Sequence, residues 1–314
     1  MIEITERRIP SADQTHQLYC RVFYPEGEIR GLFHVVHGMT EHIRRYEKFM
    51  TEMAEQGWLC FGFDNLGHGY TAGDDDLGYI GEWQWPVDDV RNVSLLMKQE
   101  YGEALPCVLL GHSMGSFIAR CAATPKIWDK LIIMGTGGPN PASRAGLLLI
   151  SRLISHFGER SYSSTIEKLL FGSYNSHFPG ENDFVAMIST IPEVKDAYRQ
   201  DKYCTFRFTL NAFYVLVKLQ MLCNRKTWYK HISGKLPILL VSGSECPVGD
   251  YGKGVEKVYN ELNSNGKDVR MKLYEGCRHE ILNDVCHDEV VKDISDFVNP
   301  LFDTKVPDAE PFDN

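Results

Sequence analysis

The sequence predicts an α/β fold, a mostly parallel central sheet flanked by helices, with a helical block inserted between two core strands. Three observations predict it. Short apolar runs alternate with helix-spaced segments along most of the 314 residues. The runs are almost continuously hydrophobic, as strands buried on both faces of a parallel sheet are. Residues 140–231 break the alternation, with helical spacing and no buried-strand pattern. The expected organisation is one core, residues 1–139 and 232–314, split by a helical cap, residues 140–231.

The elements follow in order. Residues 17–24 alternate in polarity and read as an antiparallel edge strand. Residues 32–36 read as a buried strand ended by His37-Gly38, with a helix over 46–55. The next strand, 58–63, closes on Asp64-Asn65-Leu66-Gly67-His68-Gly69, a composition that suits a hydrogen-bonded turn better than a catalytic histidine. A helix is expected over 87–98, with Val90, Val93 and Met97 on one face. Strands over 107–110, 131–134, 238–241 and 269–273 complete the sheet, with helices over 114–123, 255–262 and 290–298. In the inserted block Leu147, Ile150, Leu153, Ile154 and Phe157 form one apolar stripe, and Leu210, Phe213, Tyr214, Val217 and Met221 form another.

Composition narrows the function. Hydrophobic residues are 43% and charged residues 24%, a globular rather than a disordered balance. A net charge of −9 without a dense Lys/Arg run argues against a nucleic-acid partner. The nine cysteines are scattered and read as buried free thiols of a reducing compartment. None has zinc-site spacing, and no cofactor is expected. The first residues lack the apolar core of a signal peptide, and no run of about 18 apolar residues exists to span a membrane. The expected location is cytoplasmic. The acidic stretch 303–314 reads as a solvated tail.

Gly111-His112-Ser113-Met114-Gly115 fits G-x-S-x-G between a strand and a helix, the context this motif requires. Such a turn strains the serine backbone, and side chains at the two glycine positions would clash. Ser113 is the candidate nucleophile, at the positive end of the following helix. The loop His37-Gly38-Met39-Thr40-Glu41-His42 follows an earlier strand. Its Met39 N–H, with that of Met114, would hold the oxyanion of a tetrahedral intermediate. The chain order serine, acid, histidine leaves His279 and His287 as candidate bases. His279, directly after the last strand, is the expected one.

These stretches resemble the monoacylglycerol lipase and lysophospholipase branch of the α/β-hydrolases, grouped with the serine aminopeptidase-type hydrolases. The resemblance rests on residues 37–42 with Arg45-Tyr46, on 64–69, on 111–116, on Pro247-Val248-Gly249 and on 278–283, and it spans nearly the whole chain. It implies the α/β-hydrolase fold and hydrolysis of monoacylglycerols, lysophospholipids or small carboxylic esters. An acyl-enzyme would form on Ser113 with His279 as base, without a cofactor. On that reading the apolar stripes of the cap line an acyl-chain pocket, and the cap meets a membrane surface transiently. The alternative is a non-catalytic ligand-binding relative, or a thioesterase or peptidase on the same residues.

One position departs from the family pattern. After the strand ending at Val241 the family has Gly, two residues, then Asp; here Gly243-Ser244-Glu245-Cys246 puts Cys246 in the acid's place. A triad acid holds the histidine tautomer and stabilises its cation, and its loss costs about four orders of magnitude in turnover. Three readings stay open. Glu245, or Asp250 from the same loop, supplies the carboxylate; the chain is a weakened enzyme with Ser113 and His279 alone; or Cys246 and Cys277 form a disulfide, against which free thiols are the simpler expectation.

Overall fold

The computed structural model describes residues 2–123, 127–178, 180–181, 183–232 and 236–303; the expected acidic tail lies outside them but for Asp303. The strands are β1 (Glu3–Pro10), β2 (Gln17–Tyr24), β3 (Gly31–Val36), β4 (Trp58–Phe63), β5 (Cys107–His112), β6 (Lys130–Met134), β7 (Ile238–Gly243) and β8 (Val269–Tyr274). They form one sheet in the order β1-β2-β4-β3-β5-β6-β7-β8. β2 runs antiparallel to both its neighbours, and every other pairing is parallel. The helices are α1 (Glu47–Glu55), α2 (Gly69–Ala72), α3 (Gln84–Tyr101), α4 (Met114–Ala122), α5 (Ser143–Phe157), α6 (Ser164–Phe171), α7 (Pro192–Gln200), α8 (Leu210–Cys223), α9 (Lys253–Ser264) and α10 (His287–Val298).

β3, β4, β5 and β7 are buried at every position, which is why they read as almost continuous apolar runs. Their side chains feed two cores. Leu32, Leu59, Leu109 and Leu131 pack on one face against residues of α3, α4 and α8. Phe33, Cys60, Val108 and Ile132 pack on the other with α1 and α10. Each large apolar side chain so buried contributes roughly 1.5–3 kcal/mol. The order of β4 and β3 brings β3 beside β5, so the loops after both strands open at the same end of the sheet.

The expectation that residues 17–24 form the edge is corrected, because β1 lies outside β2 along its full length. β1 mixes Glu3, Glu6, Arg7 and Arg8 with Ile4 and Ile9. Charges of that kind protect an edge strand from further pairing, and they also hide it as a strand in the sequence.

Between β6 and β7 the chain runs through α5, α6, α7 and α8. α6 is capped by Ser163 Oγ, which accepts from Ile166 N–H at 3.3 Å, and α8 by Thr209 Oγ1, which accepts from Ala212 N–H at 3.2 Å. α8 packs against α5 and also against α4 of the core. No described helix is long and apolar enough to cross a membrane.

Candidate active site

β5 ends at His112 and α4 begins at Met114, which leaves Ser113 alone in the turn at φ 54°, ψ −120°. Such a conformation costs a non-glycine residue of order 1–3 kcal/mol and persists only where neighbours enforce it. Here Ser113 N–H donates to Met134 O at 3.0 Å, while Ser116 N–H and Oγ donate to Ser113 O at 2.9 and 2.6 Å. The flanking glycines are a steric requirement. A Cβ at Gly111 would lie 2.3 Å from Gly115 O, and one at Gly115 would lie 2.2 Å from Val36 O.

Met39 and Met114 flank Ser113 in the wall of one cavity, and among the described residues neither backbone N–H has a hydrogen-bond partner. Beneath the Met39 loop sits Glu41, 2% exposed. Its Oε1 accepts from Gly38 N–H, from Tyr46 OH at 2.9 Å and from His112 Nδ1 at 2.9 Å. Burial alone would raise the Glu41 pKa, but the charge of His112 and its hydrogen bond hold it well below the carboxylate range. Burial likewise opposes the His112 cation, and Glu41 raises it above its ordinary value all the same. Arg45 completes this buried layer by pairing with Glu280. The roles of Glu41, His112 and Glu280 were not read from the sequence; the only signal was that they sit inside the motif strings.

His279 is 3% exposed and lines the same cavity as Ser113. Its N–H donates to Met187 O at 3.0 Å and Glu280 N–H donates to Ile188 O at 2.8 Å, so the loop is tied to the 3-10 turn Phe184–Met187. His279 Nδ1 meets Cys246 Sγ at 3.0 Å. Gly135, at φ 58°, makes room for the ring: a Cβ there would lie 3.2 Å from Nδ1. The Val248 and Gly249 backbone and the Ser242 side chain lie close to Cys246 and ease its ionisation, while the Ser242 hydroxyl itself donates to Gly243 O at 3.3 Å. Burial dominates over these polar neighbours and pushes the Cys246 thiol up, so it is neutral near pH 7. Burial also pushes the His279 pKa well below its usual value, with the His112 charge adding to the effect and Glu41 opposing it.

Glu245 and Asp250, the expected carboxylates, do not reach His279. Glu245 is engaged through its backbone N–H, which donates to Cys277 O at 3.0 Å. Asp250 lines the cavity without bonding His279. Cys246 and Cys277 are free thiols. The reason is geometric: Cys246 Sγ already fills the hydrogen-bonding direction of Nδ1. The other candidate histidines are occupied elsewhere, His287 by Leu282 O at 2.7 Å and Glu52 at 2.8 Å, and His68 by Leu66 O at 2.9 Å.

The cavity encloses about 740 Å³, and Leu149, Leu170, Phe171, Phe184, Leu216 and Val217 supply much of its apolar wall. The stripe expected on α5 does not line the cavity: Leu147 and Ile150 are buried in the core, Leu153 and Ile154 pack against it and Phe157 is exposed, while Leu149, outside that stripe, faces the cavity; of the stripe on α8, Val217 lines it. Away from the cavity, His42, Asp201 and Cys204 bring ligand-capable atoms within 4.8 Å of one another, a cluster the sequence did not suggest. His42 Nε2 and Asp201 Oδ2 already satisfy each other at 2.8 Å, and the Arg45 cation acts on Cys204, so the residues form a polar tie.

The family profile described as "Serine aminopeptidase, S33" matches residues 27–285. The chain is similar to the monoglyceride lipase of Rattus norvegicus, 28% identical over 310 residues that cover 90% of this chain and 91% of the relative. It is similar to the monoacylglycerol lipase of Mycolicibacterium smegmatis, 26% identical with coverages of 88% and 91%. Among solved structures, a thermostable carboxyl esterase from Bacillus coagulans, in complex with glycerol, has a TM-score of 0.90 at 28% identity, covering 96% of this chain and 100% of that one. A soluble variant of the Saccharomyces cerevisiae monoglyceride lipase, in complex with a substrate analogue, has a TM-score of 0.76 at 18% identity, a likeness of fold.

Proposed function

The chain belongs to the serine aminopeptidase, S33 family of α/β-hydrolases, and from that membership we propose that it hydrolyses carboxylic esters of the monoacylglycerol or lysophospholipid class through an acyl-enzyme on Ser113. The observation that carries the reading is the strained Ser113 turn in the wall of an apolar cavity that His279 also lines, flanked by the Met39 and Met114 N–H groups, which have no partner among the described residues. The names of the similar proteins from rat and M. smegmatis support the substrate class.

In this reading Ser113 Oγ attacks the ester carbonyl and His279 Nε2 takes its proton. The Met39 and Met114 N–H groups hold the oxyanion, each contributing on the order of 3 kcal/mol to the transition state. His279 returns the proton to the leaving alcohol, and water repeats the cycle on the acyl-enzyme. Residues 140–231 act as a cap whose α5, α6 and α8 close the acyl-chain cavity.

The neutral Cys246 favours a second feature, low turnover. A carboxylate at this position carries no proton and can only accept, which forces the proton onto Nδ1 and leaves Nε2 free as the base. A thiol allows both arrangements: Nδ1–H can donate to Sγ, or S–H can donate to Nδ1 and leave the proton on Nε2. The second tautomer cannot accept from Ser113. Nor does a thiol offset the charge of the imidazolium formed on attack.

The test is labelling of the protein with a fluorophosphonate probe and hydrolysis of an acyl-ester panel. Labelling that Ser113→Ala abolishes, with hydrolysis of glycerol monoesters, supports the proposal. An unlabelled protein with no activity on any ester refutes it and leaves a ligand-binding relative of the family.

A further inference from the structure

The end of β6 and the turn after it hold the Ser113 backbone on both sides. Ser113 N–H donates to Met134 O at 3.0 Å. Ser113 O accepts from the Ser116 hydroxyl at 2.6 Å, and Ser116 Oγ lies 2.8 Å from Thr136 Oγ1. A carbonyl only accepts, and a serine hydroxyl has one proton to give, so the Thr136 hydroxyl donates to Ser116 Oγ. Thr136 Oγ1 in turn accepts from Arg120 Nη1 at 3.2 Å. Every bond therefore runs the same way, from the Arg120 cation through two hydroxyls to the carbonyl of Ser113. All three side chains are buried. Among the described residues the other hydrogen-bond acceptors of Arg120 are Gly137 O, Asn224 Oδ1 and Cys223 O, all neutral, so no carboxylate bonded to it absorbs its charge.

We propose that Arg120, Thr136 and Ser116 are positioning residues that aim and strengthen the Met114 N–H as a donor to the oxyanion; the proposal rests on the ester-hydrolase reading. Ser113 C=O and Met114 N–H belong to one planar trans peptide, so a carbonyl fixed on one side points the N–H to the other. Met114 lies in the cavity wall, and its N–H has no partner among the described residues. A hydrogen bond donated to a carbonyl draws electron density from the amide nitrogen and makes its N–H the stronger donor, and bonds in a chain polarise one another. The cation at the head of this chain adds to that polarisation, because a buried charge is weakly screened. The ester oxygen becomes negative only on attack, so the relay stabilises the transition state and not the bound ester.

A serine in the first turn of a helix commonly donates back to the carbonyl three residues before it, a local bond with no further consequence. Two observations set Ser116 apart from that case. Its backbone N–H already donates to the same Ser113 oxygen at 2.9 Å, so the carbonyl is satisfied without the hydroxyl. Its hydroxyl is also held from outside the helix, by Thr136 beyond β6. The bond has mechanical work as well. Ser113 sits at φ 54°, and a rotation of the 113–114 peptide that relaxed this strain would swing the Met114 N–H out of line and break the Ser116 bond.

The test is a set of variants of the full-length protein assayed on a glycerol monoester. Ser116→Ala is expected to lower kcat roughly tenfold, less than the hundredfold or more that follows loss of a whole oxyanion donor. KM stays the same, because acylation and deacylation both use the hole. The inhibition constant of an alkyl trifluoromethyl ketone, whose adduct on Ser113 carries an oxyanion, weakens by the same factor as kcat/KM. Thr136→Val and Arg120→Gln each lower kcat severalfold in the natural chain and add nothing in Ser116→Ala, since they act only through its hydroxyl. An unchanged kcat in Ser116→Ala, a rise in KM in place of the fall in kcat, or costs that add in the double variants overturns the proposal. Should Ser116→Ala not fold, Thr136→Val carries the same kcat, KM and inhibitor readouts. A natural chain that hydrolyses no ester refutes the ester-hydrolase reading alone. The relay is then decided by the Met114 amide resonance in protein labelled with [15N]methionine, assigned through Met114→Leu: an upfield nitrogen shift in Ser116→Ala and a smaller one in Thr136→Val support it, and an unmoved resonance overturns it.

Discussion

In Cys246→Asp a carboxylate replaces the sulfur that stands 3.0 Å from His279 Nδ1. The Val248 and Gly249 backbone and the Ser242 side chain next to position 246 favour a negative charge there. A carboxylate about 4 Å from the imidazolium stabilises it by about 4 kcal/mol at an effective dielectric constant near 20. That would be close to a thousandfold in rate. Burying the new charge takes back part of this, since position 246 is fully enclosed. The expected gain in kcat on a good ester is therefore roughly tenfold to a thousandfold. The pH profile supplies a second readout. In the natural chain burial holds the His279 pKa well below its ordinary value, so kcat/KM falls only at low pH. The new carboxylate raises that pKa, and the acid limb of kcat/KM moves to higher pH. The assay is steady-state hydrolysis of a monoacylglycerol and a p-nitrophenyl ester across the pH range. A gain below tenfold with an unmoved acid limb refutes the reasoning. If Glu245→Gln then collapses activity, Glu245 rather than Cys246 partners His279 in solution; the structure predicts that Glu245→Gln is silent.

Ser113→Ala is expected to abolish hydrolysis while Tm, by calorimetry, stays within about 2 °C of the natural chain, because Ser113 Oγ makes no hydrogen bond among the described residues. Leu216→Trp narrows the cavity wall on α8 and should move the preferred acyl chain of a p-nitrophenyl ester series to shorter lengths; an unchanged profile argues against an acyl-chain cavity. Asp89 holds the Ala12 N–H and Ser11 hydroxyl, and burial lifts its pKa to about 7. A folded-state pKa above the unfolded value of about 3.9 means stability that is complete below pH ~4 and lost as pH rises through the folded pKa. Asp89→Asn is thus expected to flatten the fall of Tm between about pH 4 and 7, and an unaltered slope contradicts the assigned pKa.

The parts of the fold legible in the sequence are those whose cause is local. β3, β4, β5 and β7 are buried on both faces, so each reads as a nearly continuous apolar run, interrupted by His34 in β3 and ended by His112 in β5 and Ser242-Gly243 in β7. β1 escaped because an exposed edge needs charges that erase the strand pattern. α6 escaped because one residue, Ile166, is buried, so it carries no stripe. Yet Leu169, Leu170 and Phe171 of that helix face the cavity. Hydrophobic periodicity reports packing on a core; it does not distinguish an empty, ligand-sized space from solvent.

By itself, the sequence determined the strand–turn–helix around Ser113 and the need for glycine on either side of it, because covalent geometry and steric exclusion act within five residues. It also showed that the position two residues after the Gly243-Ser244 pair, where the family carries a carboxylate, holds Cys246. Only the tertiary structure decided which side chain of that loop meets His279, since Glu245, Cys246 and Asp250 are equally near in sequence and differ in the direction each points.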